Sequence, residues 1–183
     1  MTRRHTTWIE PVEAPISLGA LGAAICRSSN FRFAWQFFRV TGADLETADS
    51  ARDVVDLVTL KPENHAFLMN ATPPHDPRPV TIERLSPQVV FRADTDGVCA
   101  LLAQAAADRL GAYSRSLAAA SASEVRAVAA LFGQVGAFNG FFLDEFGQQP
   151  FSSWFDQVAW AWCVVVTWPA VRLAWVGCLT DTD

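Results

Sequence analysis

Residues 151–175 read FSSWFDQVAWAWCVVVTWPAVRLAW, and how this stretch is hidden from water decides the fold. It carries five of the chain's seven tryptophans: Trp154, Trp160, Trp162, Trp168 and Trp175. Between Asp156 and Asp181 the single charged residue is Arg172. A segment so poor in charge and so rich in wide rings must lie in a core, against another chain or in a bilayer. Read as a helix, it has a marked start. Pro150 precedes Ser152 and Ser153, and Asp156 stands three residues after Ser153 as in a capping-box variant. Val158, Trp160, Trp162, Val164, Val165 and Val166 cannot share one stripe of period 3.6, so such a helix is buried all round. Pro169 would kink or end it. Cys163 to Thr167 is β-branched enough to suit a central strand as well, and the reading taken forward is a helix broken at Pro169.

The alternative host is a membrane, because Gln157 to Thr180 supplies roughly the 20 residues a spanning helix needs if Arg172 reaches the interface. The proline and arginine inside the span, and a polar remainder, favour burial in protein. The immediate neighbour then is the segment from Ser121 to Phe146. Ser121 and Glu124 form an S-x-x-E capping box, and Val125, Val128, Phe132, Val135, Phe142 and Phe146 continue an apolar face to a C-cap at Gly147. Gly133, Gly136 and Gly140 would leave a groove in that helix for Trp154 and Trp162 to fill.

Working toward the N-terminus, Asp94, Thr95 and Asp96 offer caps for a helix through Tyr113. Val80 to Leu85 and Gln88 to Ala93 are β-favourable runs divided by Ser86-Pro87, which predicts a hairpin. Thr72 to Pro79 holds four prolines and reads as a loop. Pro62 opens a short helix through Met69, and Asp49 or Ser50 caps another carrying Val54, Val55, Leu57 and Val58. Thr41-Gly42-Ala43-Asp44 marks a turn. Phe31, Phe33, Trp35 and Phe37 alternate as in a half-buried strand, although Phe31, Trp35 and Phe38 also fit a helix face. Ile16 to Cys26 reads as a first helix with Ser17 as cap, and Thr6 to Val12 as an extended arm.

The expected fold class is therefore α+β. A winged-helix-like unit with an extended N-terminal arm occupies residues 1–94, and a mainly α-helical unit built on the tryptophan-rich helix occupies 95–183.

At 183 residues and 51% apolar content the chain can build a substantial core, which excludes general disorder. The net charge is −5, and residues 1–94 hold ten basic and eleven acidic side chains, a balance of −1. Phosphate backbones demand the opposite sign, so no nucleic acid partner is expected. Cys26, Cys99, Cys163 and Cys178 have no paired-ligand spacing, so neither a structural metal nor a cofactor is expected. Buried reduced thiols imply a cytoplasmic setting. The N-terminal MTRRHTTWIEP is followed by no signal-peptide apolar run before Glu10 and Glu13.

The single polar cluster resembling a catalytic site is the loop from Lys61 to Pro79, where His65 and His75 lie beside Glu63 and Asp76. Those residues could do acid–base chemistry, as in a small enzyme, or hold a metal if the loop folds back. Asn139 falls among phenylalanines and needs partners for its amide, while Asp144 and Glu145 at a helix end would invite a basic partner. Trp154 and Trp175 are further candidates for contact with another chain. With no nucleophile at a diagnostic spacing, the expected function is a non-catalytic binding or accessory subunit that recognises a protein or peptide.

The order helix, helix, helix, hairpin over residues 16–94 resembles the winged-helix-like peptide-recognition domains of systems that modify ribosomally made peptides, including small accessory subunits of methanobactin-type modifying enzymes. The resemblance implies a heteromeric peptide-modifying enzyme in which an extended peptide adds beside the wing, near Val80, Ile82 and Phe91. Ala137-Phe138-Asn139 is similar to part of the last helix of the carboxymuconolactone decarboxylase and alkylhydroperoxidase group, whose C-x-x-C or C-x-x-H redox site is absent from this chain.

Overall fold

From Trp160 onward the tryptophan-rich stretch is a β-hairpin at the centre of a sheet, not a helix. In the computed structural model the described residues are 7–27, 31–71, 80–86, 88–110, 119–144, 151–155 and 160–181. The elements in chain order are β1 (Trp8–Val12), α1 (Gly19–Ile25), β2 (Phe31–Thr41), α2 (Ala48–Leu60), α3 (Pro62–Asn70), β3 (Arg92–Ala93), α4 (Thr95–Ala106), α5 (Ala122–Gly133), β4 (Asn139–Asp144), β5 (Trp160–Trp168) and β6 (Leu173–Asp181). The six strands form one sheet in the order β1-β2-β6-β5-β4-β3, with every neighbouring pair antiparallel.

Side chains alternate across this sheet, and both faces are covered. Ala34, Phe38, Val40, Phe141, Leu143, Cys163, Val165, Val176 and Cys178 point into one core, beneath α2, α3 and the short turn Ser153–Phe155. Phe33, Phe37, Phe142, Trp162, Val164, Val166, Trp168, Trp175 and Leu179 point into the other, beneath α1, α4 and α5. A strand buried on both faces shows no polar alternation, which is why β5 reads as an unbroken apolar run. Its valines and threonine are stiff at the first side-chain torsion and pack well on a pleated surface. Pro169 opens a single 3-10 turn, and Arg172 takes the left-handed conformation (φ 57°) that turns the chain back into β6.

The Val40 amide donates to the Arg172 carbonyl oxygen at 2.9 Å, and this fixes the hydrogen-bond alternation of the sheet. Even-numbered residues of β2 and β6 bond one another, odd-numbered residues of β6 bond β5, and odd-numbered residues of β2 bond β1.

The winged-helix-like N-terminal unit and the mainly helical C-terminal unit are overturned by this sheet, in which β2 from the first half pairs with β6 from the second. The chain is α+β only in the loose sense. The expected wing does not form a hairpin: Ile82 makes an isolated bridge with Ser152, and Arg92 and Ala93 pair with Phe142 and Phe141. Ser152 and Ser153 cap no long helix. They fasten the 80–83 segment instead, with the Thr81 amide donating to Ser153 Oγ (2.8 Å) and Ser152 Oγ donating to the Thr81 carbonyl (3.0 Å).

The capping box at Ser121 and Glu124 forms as read, but α5 ends at Gly133 rather than continuing to Phe146. Gly136, at φ 143°, breaks it, and Asn139–Asp144 is strand β4. The glycines do not form a groove for tryptophans, since a Cβ on Gly133 or Gly136 would meet nothing within 4 Å. Gly140 does mark a close approach, to α4: a Cβ there would lie 2.9 Å from Thr95 Cα. Its amide donates to Thr95 Oγ1 at 2.9 Å. Helices α2 and α3 form close to where the sequence put them, but the cap of α2 is Thr47, whose side chain accepts from the Ser50 amide, and not Asp49 or Ser50. No helix among the described residues is long and apolar enough to cross a membrane.

Candidate partner-binding cleft

At one end of the sheet three connections meet: residues 42–47 between β2 and α2, residues 134–138 before β4, and the 169–172 turn. They enclose a cleft of about 500 Å³ lined by Asp44, Glu46, Ala137, Phe138, Asn139, Pro169 and Ala170. The first connection is held in shape from several sides. Gly42 (φ 91°) and Leu45 (φ 66°) take left-handed backbone, which for a leucine is disfavoured and persists only where the surroundings impose it. Leu45 is fully buried, and the buried Thr167 hydroxyl donates to its carbonyl at 2.6 Å. The Arg172 guanidinium donates to the Ala43 carbonyl.

Asp44 accepts from the Ser50 hydroxyl and, at 3.1 Å, from the Glu46 amide. The Ser50 hydroxyl first, then the Glu46 amide, hold its carboxyl below the usual range, so Asp44 is ionised at neutral pH. Phe138 lies 5.8 Å from Phe132 and 6.4 Å from Trp168, ring centre to ring centre, and so is anchored in the core beside the cleft. The Trp168 indole donates to the Phe132 carbonyl at 3.1 Å, which ties the end of α5 to β5. The lining thus combines two carboxylates, a carboxamide and an aromatic ring. That set suits a cationic side chain, in particular a guanidinium, which can bond carboxylate and amide oxygens and stack on an aromatic.

The acidic character extends along α2. Asp49 and Asp53 are exposed on it, and partial desolvation by its neighbours first, with Asp49 and Asp56 adding to it, raises the Asp53 carboxyl against the pull of Arg52. Arg52 itself donates to the carbonyls of Val89 and Ser86, each at 3.1 Å. Val90, 72% exposed, stands beside this row in a smaller cleft with Asp49, Val89 and Phe91.

The structure scatters the residues singled out from the sequence. Asn139 lines the cleft, as the first residue of β4. Asp144 ends the same strand opposite Trp162 and is not at a helix terminus, while Glu145 lies outside the described residues. Trp154 and Trp175 are buried in opposite cores, the first packed on Phe155 (5.2 Å) and the second on Phe132 (5.3 Å). Phe91 is buried too, and Val80 and Ile82 are half-buried against the same core. His65 Nδ1 donates to the Val58 carbonyl at 3.1 Å, and the Asn64 amide donates to the Leu57 carbonyl at 3.1 Å, so both side chains brace the α2–α3 junction. Glu63 is exposed, 3.9 Å from Lys61, and His75 and Asp76 lie outside the described residues. No group of three or more potential metal ligands occurs among the described residues.

Sequence reasoning missed Asp44, Glu46 and Pro169 as parts of one site. The available signal was Gly42 in the Thr41–Asp44 turn, a glycine placed where the chain needs positive φ. Compared with known proteins, the chain matches no family model, no curated protein and no solved structure.

Proposed function

We propose that this chain is a non-catalytic binding or accessory protein that recognises a basic protein or peptide segment, with the sheet-end cleft receiving an arginine or lysine side chain. The observation that carries this reading is the cleft itself, in which Asp44 is kept ionised beside Glu46, Asn139 and Phe138 by a braced loop. The net charge of −5 and the aspartates of α2 extend the same sign beyond the cleft, which speeds encounter with a cationic partner and fixes its orientation. Exposed ion pairs contribute only about 0–1 kcal/mol each, so the cleft supplies selectivity and the partner's remaining contacts supply affinity. A cytoplasmic setting belongs to the same proposal and is supported by four cysteines that are all free thiols.

The test is a titration of the isotopically labelled full chain with a blocked arginine–glycine hexapeptide, against the same peptide with citrulline in place of arginine. Amide shifts at Glu46, Phe138, Asn139 and Ala170 that saturate with the arginine peptide and weaken with salt are expected. Glu46→Gln combined with Asn139→Ala should weaken binding about fivefold, the loss of about 1 kcal/mol. Equal responses to the two peptides, or shifts located elsewhere, would overturn the reading.

A further inference from the structure

We propose that Cys163 and Cys178 are a redox modification site: a dithiol that closes to a cross-strand disulfide by exchange with a low-molecular-weight disulfide when the β5–β6 hairpin opens. The two residues are register partners on adjacent antiparallel strands, and their side chains enter the same core. Odd-numbered residues of β6 bond β5, so Cys163 and Cys178 form a non-hydrogen-bonded pair, the kind that brings Cα atoms to about 4.5 Å and side chains closest together. That separation lies within the range that a disulfide spans without backbone movement.

Neither remaining cysteine competes for this pair in the folded chain. Cys99 is buried in the core on the opposite face of the sheet, and Cys26 is exposed just beyond α1. In the closed structure Cys163 and Cys178 are about 1% and 0% exposed, and burial pushes the Cys178 thiol well above its ordinary range. Exchange therefore runs through an open state of the hairpin, where thiolates form and reagent enters.

One thiolate attacks a sulfur of oxidised glutathione, which leaves a mixed disulfide on the protein and releases one glutathione thiolate. The second cysteine thiolate attacks the protein sulfur of that bond and releases the other. The protein loses two electrons and two protons, and one oxidised glutathione becomes two reduced molecules.

The full chain is incubated with oxidised glutathione in native buffer, and in parallel is unfolded and refolded in the same reagent. Samples are acid-quenched, digested and mapped by mass. The expected result is a linked peptide joining Cys163 to Cys178, formed on the order of a hundredfold faster through refolding than in native buffer. It should be reversed by dithiothreitol and accompanied by a rise in melting temperature of about 5 °C or more. Cys163→Ala and Cys178→Ala should each abolish the linked peptide and the rise. Where a variant fails to fold, the map of the unaltered chain still decides. Only mixed glutathione adducts, a different cysteine pairing, or equal rates in the two arms would overturn the proposal.

Discussion

Glu124 ties two helices together through a single carboxylate. It completes the capping box of α5 by accepting from the Ser121 amide at 2.7 Å, and it takes both guanidinium arms of Arg109, just past α4, at 2.6 and 3.0 Å. The Arg109 bonds first, then the Ser121 amide, lower its pKa from 4.5 to about 2. A depressed folded value means that the stabilisation is complete above the unfolded pKa and is lost as pH falls through the folded one. Melting temperatures of the parent and Glu124→Gln should therefore differ most near neutral pH and converge as pH falls from about 4.5 to about 2. A gap that stays constant over that window would remove the charge from the account. The S-x-x-E spacing made the box legible, because its partners are three residues apart. Arg109 was not legible, because nothing local brings a residue 15 positions away onto the same carboxylate. Asn139 drew notice for a similar local reason, as a lone amide among aromatics, but it was read on a helix face and opens strand β4 instead, whereas Asp44 and Glu46 acquire meaning only when distant loops meet.

At the scale of elements the sheet edges explain what pattern reading caught and what it lost. In β1 the hydrogen-bonding groups of Trp8, Glu10 and Val12 face β2, so Ile9 and Pro11 face outward. Proline at such a position withholds a donor from any incoming strand, a common guard on an exposed edge. Pro11→Thr restores that donor and favours strand formation. Sedimentation at micromolar concentration should then show concentration-dependent self-association beyond that of the parent. An unchanged distribution would mean that Pro11 is not the guard. The extended arm and the α2–α3 pair were legible because each has local punctuation. The β5–β6 hairpin was not, because burial on both faces erases the alternation that distinguishes strand from helix. Gly177 adds a further reason: the Trp175 ring lies over it, in the space a Cβ would take, so a tryptophan two residues away occupies a glycine's place on the same face. A helical reading cannot anticipate that packing.

The topology of the whole molecule makes the strongest demand. The order β1-β2-β6-β5-β4-β3 places the last two strands in the middle of the sheet, so among the described residues the C-terminal hairpin is the only strand contact between β1-β2 and β4-β3. Without it β2 and β4 each lose a partner strand, and both cores lose their central layer. Trp168 and Trp175 are fully buried in one core, and Val165, Val176 and Cys178 in the other. Removing one buried aromatic typically costs about 3–5 kcal/mol, and whole domains are stable by about 5–15 kcal/mol, so losing the entire hairpin exceeds what the remainder can supply. Residues 1–150 expressed alone should therefore show no cooperative thermal transition and should bind a hydrophobic dye, in contrast to the full chain. If that truncated chain melts as sharply as the parent, the hairpin is not the centre of the sheet.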